Sequence, residues 1–439
     1  MDSSSPRSDA HDAGTPTVVV IGTFDTKAEE LGVLADEIEA QGATAVLMDT
    51  SARLTERPPA DVIGRRTFID QDRVAAAAGR TIAAVSALPR GEAVSALRAG
   101  VTALLTGMVA DRSVDGAVCM GGAGTHIAGP AFQQLPIGFP KLIISPLASG
   151  SRTFEAYVGI KDVAVLHSVA DIIGVNSVTS EVYRSAAGYI VGAARHVAAE
   201  APSVDRDRPT IAVSMNGNTT PALMRGRERL EAAGYSFVAF HANGVGGRAL
   251  EDAVAAGKVD LVLDYTTTEL AGHLVGGLMD PGPERMETAG RKGLRQVLVP
   301  GCLDFITCGR MEETQREFPG RTYFGHNPEL TLVRLTRDES VTLGKEFARK
   351  ANLATGPVTV YVPTGGLSVP DAPGGVFWDP EADQAFLDSL REALQPRVEL
   401  VTLSWHINDP RFIDRIVDDL IGVGPTDGAG NHRCGAVAT

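Results

Sequence analysis

Lysine, aspartate, histidine and runs of glycine in this chain fall just after short apolar segments, where a strand would hand over to a helix. The first such turn is Gly22-Thr-Phe-Asp-Thr-Lys27, which follows Thr17-Val-Val-Val-Ile21 and leads at once into a helical pattern. The spacing predicts a buried strand, a tight turn on Gly22, and a helix with Asp25, Thr26 and Lys27 in its first turn. Free amides and the helix dipole favour an anion there. Gly22 and Thr23 would let the backbone approach a phosphate, and Lys27 would neutralise it. Plain capping by Asp25 or Thr26 accounts for the same residues. The Walker A spacing is absent.

A second turn, Gly121-Gly-Ala-Gly-Thr-His126, follows the run Gly116–Met120. Gly121, Gly122 and Gly124 leave a bare backbone that could close around phosphate oxygens, with Thr125 beside them. A tight packing turn uses the same residues, and the mismatch to Gly-x-Gly-x-x-Gly lowers the case for a dinucleotide. Beyond Lys141–Ser145, Ser149 and Gly150 offer a hydroxyl and an amide to close such a site. Asn176, Ser177 and Thr179 suit either a sugar or base contact or ordinary turn chemistry.

The second half carries more pointed groups. In His241-Ala-Asn-Gly-Val-Gly-Gly-Arg248, Gly246 and Gly247 would expose amides, and Arg248 could grip a carboxylate or phosphate in a bidentate way. Asp264, in Asp264-Tyr-Thr-Thr-Thr-Glu269, and Asp304, in Pro300-Gly-Cys-Leu-Asp304, put carboxylates at strand ends. Mg²⁺ commonly binds through one or two carboxylates plus phosphate, so Asp264 and Asp304 are candidate ligands. His241 and His326 could move protons near neutrality. His241, Asp264 and His326 are thus candidate catalytic residues of a metal-assisted enzyme acting on a small anionic substrate. Taken singly, each also reads as a satisfied structural group. Neither a His-x-x-x-His zinc spacing nor a Gly-x-Ser-x-Gly elbow occurs. Cys302 and Cys308 could be nucleophiles or buried, inert thiols.

The elements that must hold these turns alternate strand and helix, which implies parallel β-α-β construction. Strands fit at Thr17–Gly22, Ala43–Asp49, Gly116–Met120, Lys141–Ser145 and Val163–His167, with helices at Val74–Leu88, Glu92–Val109 and Ser180–Ala198. After a Pro-bracketed polar segment at 201–209, strands fit at Thr210–Ser214, Ser236–Phe240, Leu261–Asp264, Gln296–Val299, Val358–Val362 and Val398–Leu403. The expected architecture is α/β: two doubly wound, Rossmann-like domains, 17–200 and 210–422, with a cleft between them. Residues 1–16 and 423–439 read as loose tails. Ligands of such sheets sit at the carboxyl ends of the strands.

Composition narrows the function classes. With 439 residues and 44% hydrophobic content the chain can bury a large core. A net charge of −14 and 5% aromatic residues argue against nucleic acid or an anionic membrane surface as partner. Cys119, Cys302, Cys308 and Cys434 form no Cys-x-x-Cys pair, which suits reduced thiols in the cytoplasm.

Taken in order, Gly22–Lys27, Asp49-Thr-Ser51, Gly121–Gly124, Ser145-Pro-Leu-Ala-Ser-Gly150, His241–Gly247, Leu263–Glu269, Pro300–Asp304, His326-Asn-Pro328 and His406-Ile-Asn-Asp409 carry a resemblance. From about Thr17 to Ile421 the chain resembles an uncharacterised protein family known for the N-terminal ATP-binding region of the tobamovirus-resistance protein of tomato. The resemblance implies two α/β domains, ATP binding, self-association into a homo-oligomer, and Mg²⁺. It also implies a barrel domain, which here would be a separate partner chain. The sequence departs from the family at Ala123 and Thr125, where the pattern is Gly-Gly-Ser-Gly-Gly-Thr, and at Gly159-Ile-Lys-Asp162, where it is Gly-Thr-Ser-Asp.

Overall fold

The structure, a computed structural model, describes residues 14–54, 58–122, 124–148, 155–198 and 208–422. The chain divides into two compact units, Met1–Ser203 and Val204–Thr439.

The first unit contains strands β1 (Thr17–Gly22), β2 (Thr44–Asp49), β3 (Thr67–Ile69), β4 (Gly116–Met120), β5 (Lys141–Ser145) and β6 (Ala164–His167). They form one parallel sheet in the order β3-β2-β1-β4-β5-β6. Successive strands run outward from β1 in one direction and then from β4 in the other, so the winding reverses between β1 and β4. Every residue of β1 is buried, because helices cover both faces of the sheet. Val19 and Ile21 pack with Leu97, Val101 and Leu105 of helix Arg90–Ala110, while Val18 and Val20 meet helices Phe24–Ala40 and Ser177–Ala198. A strand buried on both faces reads as a continuous apolar run, which made it legible. Among the described residues, Arg90–Ala110 is also the one helix long and apolar enough to cross a membrane by length and composition.

Two elements differ from expectation for identifiable reasons. The stretch read as one helix over Val74–Leu88 is two, Gln71–Ala77 and Ile82–Ser86. Gly79 takes φ 70° between them, and Asp70 and Thr81 each cap a helix by accepting from the amides of Arg73 and Ala84. Helix Thr125–Phe132 runs through Pro130 rather than stopping before it. Proline there frees the carbonyl of His126, and Arg98 supplies the missing donors through Nε at 3.2 Å and Nη2 at 3.1 Å.

The second unit contains β7 (Thr210–Met215), β8 (Ser236–His241), β9 (Leu261–Thr266), β10 (Arg295–Gly301), β11 (Phe305–Cys308), β12 (Tyr323–Asn327), β13 (Leu330–Arg334), β14 (Val358–Pro363) and β15 (Glu399–Leu403). Six of these make a parallel sheet, β15-β14-β10-β9-β7-β8, whose reversal lies between β7 and β9. The other three make an antiparallel sheet, β11-β13-β12, that the sequence reading did not foresee. Its strands are short, and β12 is largely exposed, so it carries little apolar signal.

Candidate functional site

The turns after β1 and β4 meet at the reversal of the first sheet. A Cβ on Gly124 would stand 3.3 Å from the Thr23 Cγ2. Gly22 is the last residue of β1, and the Leu31 side chain fills the space beside it; a Cβ there would lie 2.7 Å from both Leu31 methyls. The helix that follows starts at Phe24, yet its cap does not come from Asp25 or Thr26, which are exposed. Phe24 N donates to Asp49 Oδ1 at 3.2 Å and Asp25 N to Ser51 Oγ at 3.0 Å. Ser51 in turn donates through Oγ and N to Asp49 Oδ1 at 2.5 and 2.8 Å. Thr26 N and Lys27 N return to the Thr23 carbonyl. The first four amides of this helix therefore all have partners. Burial pushes the Asp49 carboxyl above its ordinary range, against these hydrogen bonds.

Lys27 breaks helical geometry at φ −136°, ψ 23°, and its half-buried ammonium has no partner among the described residues. Among the described residues, nothing lies within 4 Å of where a Cβ on Gly121 or Gly122 would be. Thr125 is fully buried and holds the turn shut from below, donating from Oγ1 to the Gly122 carbonyl at 2.6 Å. Gly22, Thr23, Lys27, Gly121, Gly122, Gly124 and Thr125 thus share one locality, while Ser149 and Gly150 lie outside the described residues. Asn176 is committed to capping helix Ser177–Ala198, accepting from the amides of Val178 and Thr179.

In the second unit the Gly246-Gly247 turn is filled by the protein itself. Glu269 Oε1 accepts from Gly244 N at 2.5 Å and Gly247 N at 3.0 Å. A Cβ on Gly247 would fall 2.1 Å from Glu269 Oε2, so only glycine admits this carboxylate. Arg285, almost fully buried, donates from Nε to Glu269 Oε2 at 2.7 Å and through Nη1 and Nη2 to both oxygens of Asp264 at 2.5 and 2.6 Å. Ser214 Oγ adds a bond to Asp264 Oδ1 at 2.6 Å. The cation held by Asp264 is therefore Arg285, and a divalent metal does not fit there. Among the described residues no group of three or more His, Cys, Asp or Glu is arranged as a metal site.

The remaining predicted residues are not brought together with Asp264. His241 is exposed at the end of edge strand β8, and His326 is exposed on β12 of the antiparallel sheet. Arg248 lies within electrostatic reach of Asp280. Asp304 belongs to a different cluster, built where β10, β14 and β15 end. Its Oδ2 accepts from Ser368 Oγ at 2.7 Å, Ser368 O lies 2.9 Å from His406 Nε2, and Asp371 Oδ2 accepts from Leu367 N at 2.8 Å. Between β10 and Asp304, Cys302 sits at φ 59°, a strained conformation for a side-chain-bearing residue. The thiol is fully buried, and burial, reinforced by Asp304 and Asp371, pushes its pKa well up. It donates to Asn216 Oδ1 at 3.6 Å and behaves as an inert group, not a nucleophile.

Arg285, Arg334, Ser368, Asp371 and Asp383 were missed by residue reasoning. A usable signal existed for two of them: Gly365-Gly-Leu-Ser368 and Asp371 follow strand β14 in the same manner as the other turns.

Fold and sites define a protein of two parallel α/β units, each carrying polar turns at the carboxyl edge of its sheet. The chain belongs to the Uncharacterised protein family (UPF0261): residues 16–199 match its N-terminal domain and 208–423 its C-terminal domain. It is 35% identical to a UPF0261 protein of Clostridium tetani, over 92% of this chain and 98% of that one. It is 34% identical to the ToMV susceptible protein tm-1(GCR26) of Solanum lycopersicum, over 95% of this chain but 57% of the tomato protein. Among solved structures, UDP-GlcNAc 2-epimerase from Neisseria meningitidis aligns over 65% of this chain and 82% of that one, at 11% identity and a TM-score of 0.24. A similarity at that level carries no argument about function.

Proposed function

We propose that the first unit binds a nucleotide over the turns after β1 and β4, with ATP the ligand that the family resemblance implies. The observation that carries this reading is the contact of Gly124 with Thr23 at the sheet reversal, where doubly wound sheets receive their ligands. The amides after β1 are already bonded, so the phosphates would rest on the turn at Gly121 and Gly122 with Lys27 as counter-charge. Thr125 supports that turn from beneath. Any Mg²⁺ would arrive on the phosphate oxygens rather than at Asp264. A cytoplasmic, self-associating protein is part of the same reading.

The test is calorimetric titration of the full chain with ATP, with and without Mg²⁺. At a hundredfold excess over the dissociation constant, bound ATP should stabilise the fold by about 2.7 kcal/mol. Lys27→Ala should weaken binding about tenfold or more, equivalent to roughly 1.4 kcal/mol. If no adenine nucleotide binds the folded wild type, or if Lys27→Ala binds ATP unchanged, the proposal fails.

A further inference from the structure

The cluster around Asp304 continues into a cavity in the second unit, independent of the nucleotide reading. The cavity, about 90 Å³, opens between the end of β14 and helix Pro380–Ala393. Val362, Leu367 and Leu387 give it an apolar wall, and Thr364, Asp383 and Gln384 are its polar side chains. Water needs roughly 10–15 Å³ on this measure, so the space suits a molecule of several heavy atoms.

Charge decides what kind of molecule. Asp383 accepts from Arg334 Nη2 at 2.6 Å and is hydrogen-bonded to Asp371, which Asp304 also faces. Arg334 is otherwise fixed to backbone, donating to the carbonyls of Phe377 and Asp304 at 2.8 and 2.9 Å. His406 stands near Asp371 from the loop after β15. Three carboxyl groups therefore share one guanidinium. Asp304 and Asp371 are fully buried, and Oδ1 of each has no hydrogen-bond partner among the described residues. Burial, and then repulsion from Asp371 and Asp304 against the pull of Arg334, raises Asp383 to about 8. Burial and Asp371 raise Asp304 to about 7. The cluster compensates its excess negative charge by holding protons.

We propose that this cavity binds a small organic ammonium ion, a primary amine on a short alkyl chain, with Asp383 as its counter-ion. An ammonium group has three donors and no acceptor, which matches the Asp383 carboxyl in the cavity wall. It delivers the positive charge that the cluster otherwise takes up as a proton, and its alkyl chain suits Val362, Leu367 and Leu387. An anion would add to the carboxylate excess, and a neutral molecule would leave it uncompensated. The amine displaces the Asp383 proton, so affinity rises with pH until Asp383 is ionised in the free protein.

Titration calorimetry of the full chain with propylammonium and with propan-1-ol, at pH 6, 7 and 8, tests this. Propylammonium should bind, the alcohol should not, and affinity should rise about tenfold from pH 6 to 7 and about fivefold from pH 7 to 8, with about one proton released at pH 7. Asp383→Asn should reduce amine affinity at least tenfold while keeping the wild-type unfolding midpoint or raising it. Leu387→Phe, which narrows the cavity and leaves every charge in place, should also weaken binding. Equal binding of alcohol and amine, an affinity independent of pH, full binding by Asp383→Asn, or no binding of propylammonium to wild type would each overturn the proposal.

Discussion

Replacing Arg285 by Met should destabilise the second unit severely, because it removes the cation from a buried acidic pair. Arg285 makes three charge-assisted bonds of 2.5 to 2.7 Å, two to Asp264 and one to Glu269, and lies 3.6 Å from Glu251. Bonds of that kind contribute about 1.5–3 kcal/mol each. Part of the loss is recovered, since methionine fills most of the volume and the carboxylates keep the Ser214, Gly244 and Gly247 donors. Uncompensated buried charge then sets the net cost at about 3–5 kcal/mol, a large share of the roughly 5–15 kcal/mol that holds a domain folded. Both tryptophans, Trp378 and Trp405, lie in this unit, so urea unfolding followed by their fluorescence reports it selectively. A variant within about 1 kcal/mol of wild type would refute the assignment of Arg285 as the counter-ion of Asp264 and Glu269.

Asp49→Ala removes the acceptor shared by Phe24 N, Ser51 N and Ser51 Oγ, and should cost about 1–2 kcal/mol in thermal unfolding of the first unit. It should also weaken ATP binding, since the turn bearing Thr23 and Lys27 loses its anchor. The raised carboxyls Asp304 and Asp383 make a signed prediction about pH. The folded state holds their protons more tightly than the unfolded chain, so their contribution is greatest below about pH 4 and is lost as pH rises towards 8. Relative to wild type, Asp383→Asn should therefore gain more than about 1 kcal/mol between pH 4 and 8 in urea unfolding. A flat difference would place the Asp383 pKa in the ordinary range.

What could be read from the sequence follows from which signals are local. β1, β4 and β5 were legible to the residue because each is an uninterrupted apolar run flanked by turn residues. The antiparallel sheet was not, since β12 exposes Phe324, Gly325, His326 and Asn327 and has no alternating pattern to read. The Gly22 and Gly121 turns do follow neighbouring strands, but glycine alone does not say what fills the space it leaves. At Gly22 it is Leu31, at Gly247 it is Glu269, and at Gly121 and Gly122 it is nothing among the described residues.

That difference is the strongest functional discriminator in the molecule. A glycine whose Cβ would strike the protein's own side chain is explained by packing, however suggestive its motif. His241–Gly247 is of this kind, because Glu269 occupies the nest its amides form. Gly121 and Gly122 have no such explanation, and Lys27 is a cation without a partner among the described residues. Substitution separates the two cases. Gly247→Ala should unfold the second unit at lower urea, by at least about 1–3 kcal/mol for a forced overlap in a packed site. Gly122→Ala should leave unfolding of the first unit within about 1 kcal/mol of wild type and act on ATP binding instead. If Gly122→Ala destabilises the fold as much as Gly247→Ala does, the open turn after β4 is structural and the case for a ligand there falls.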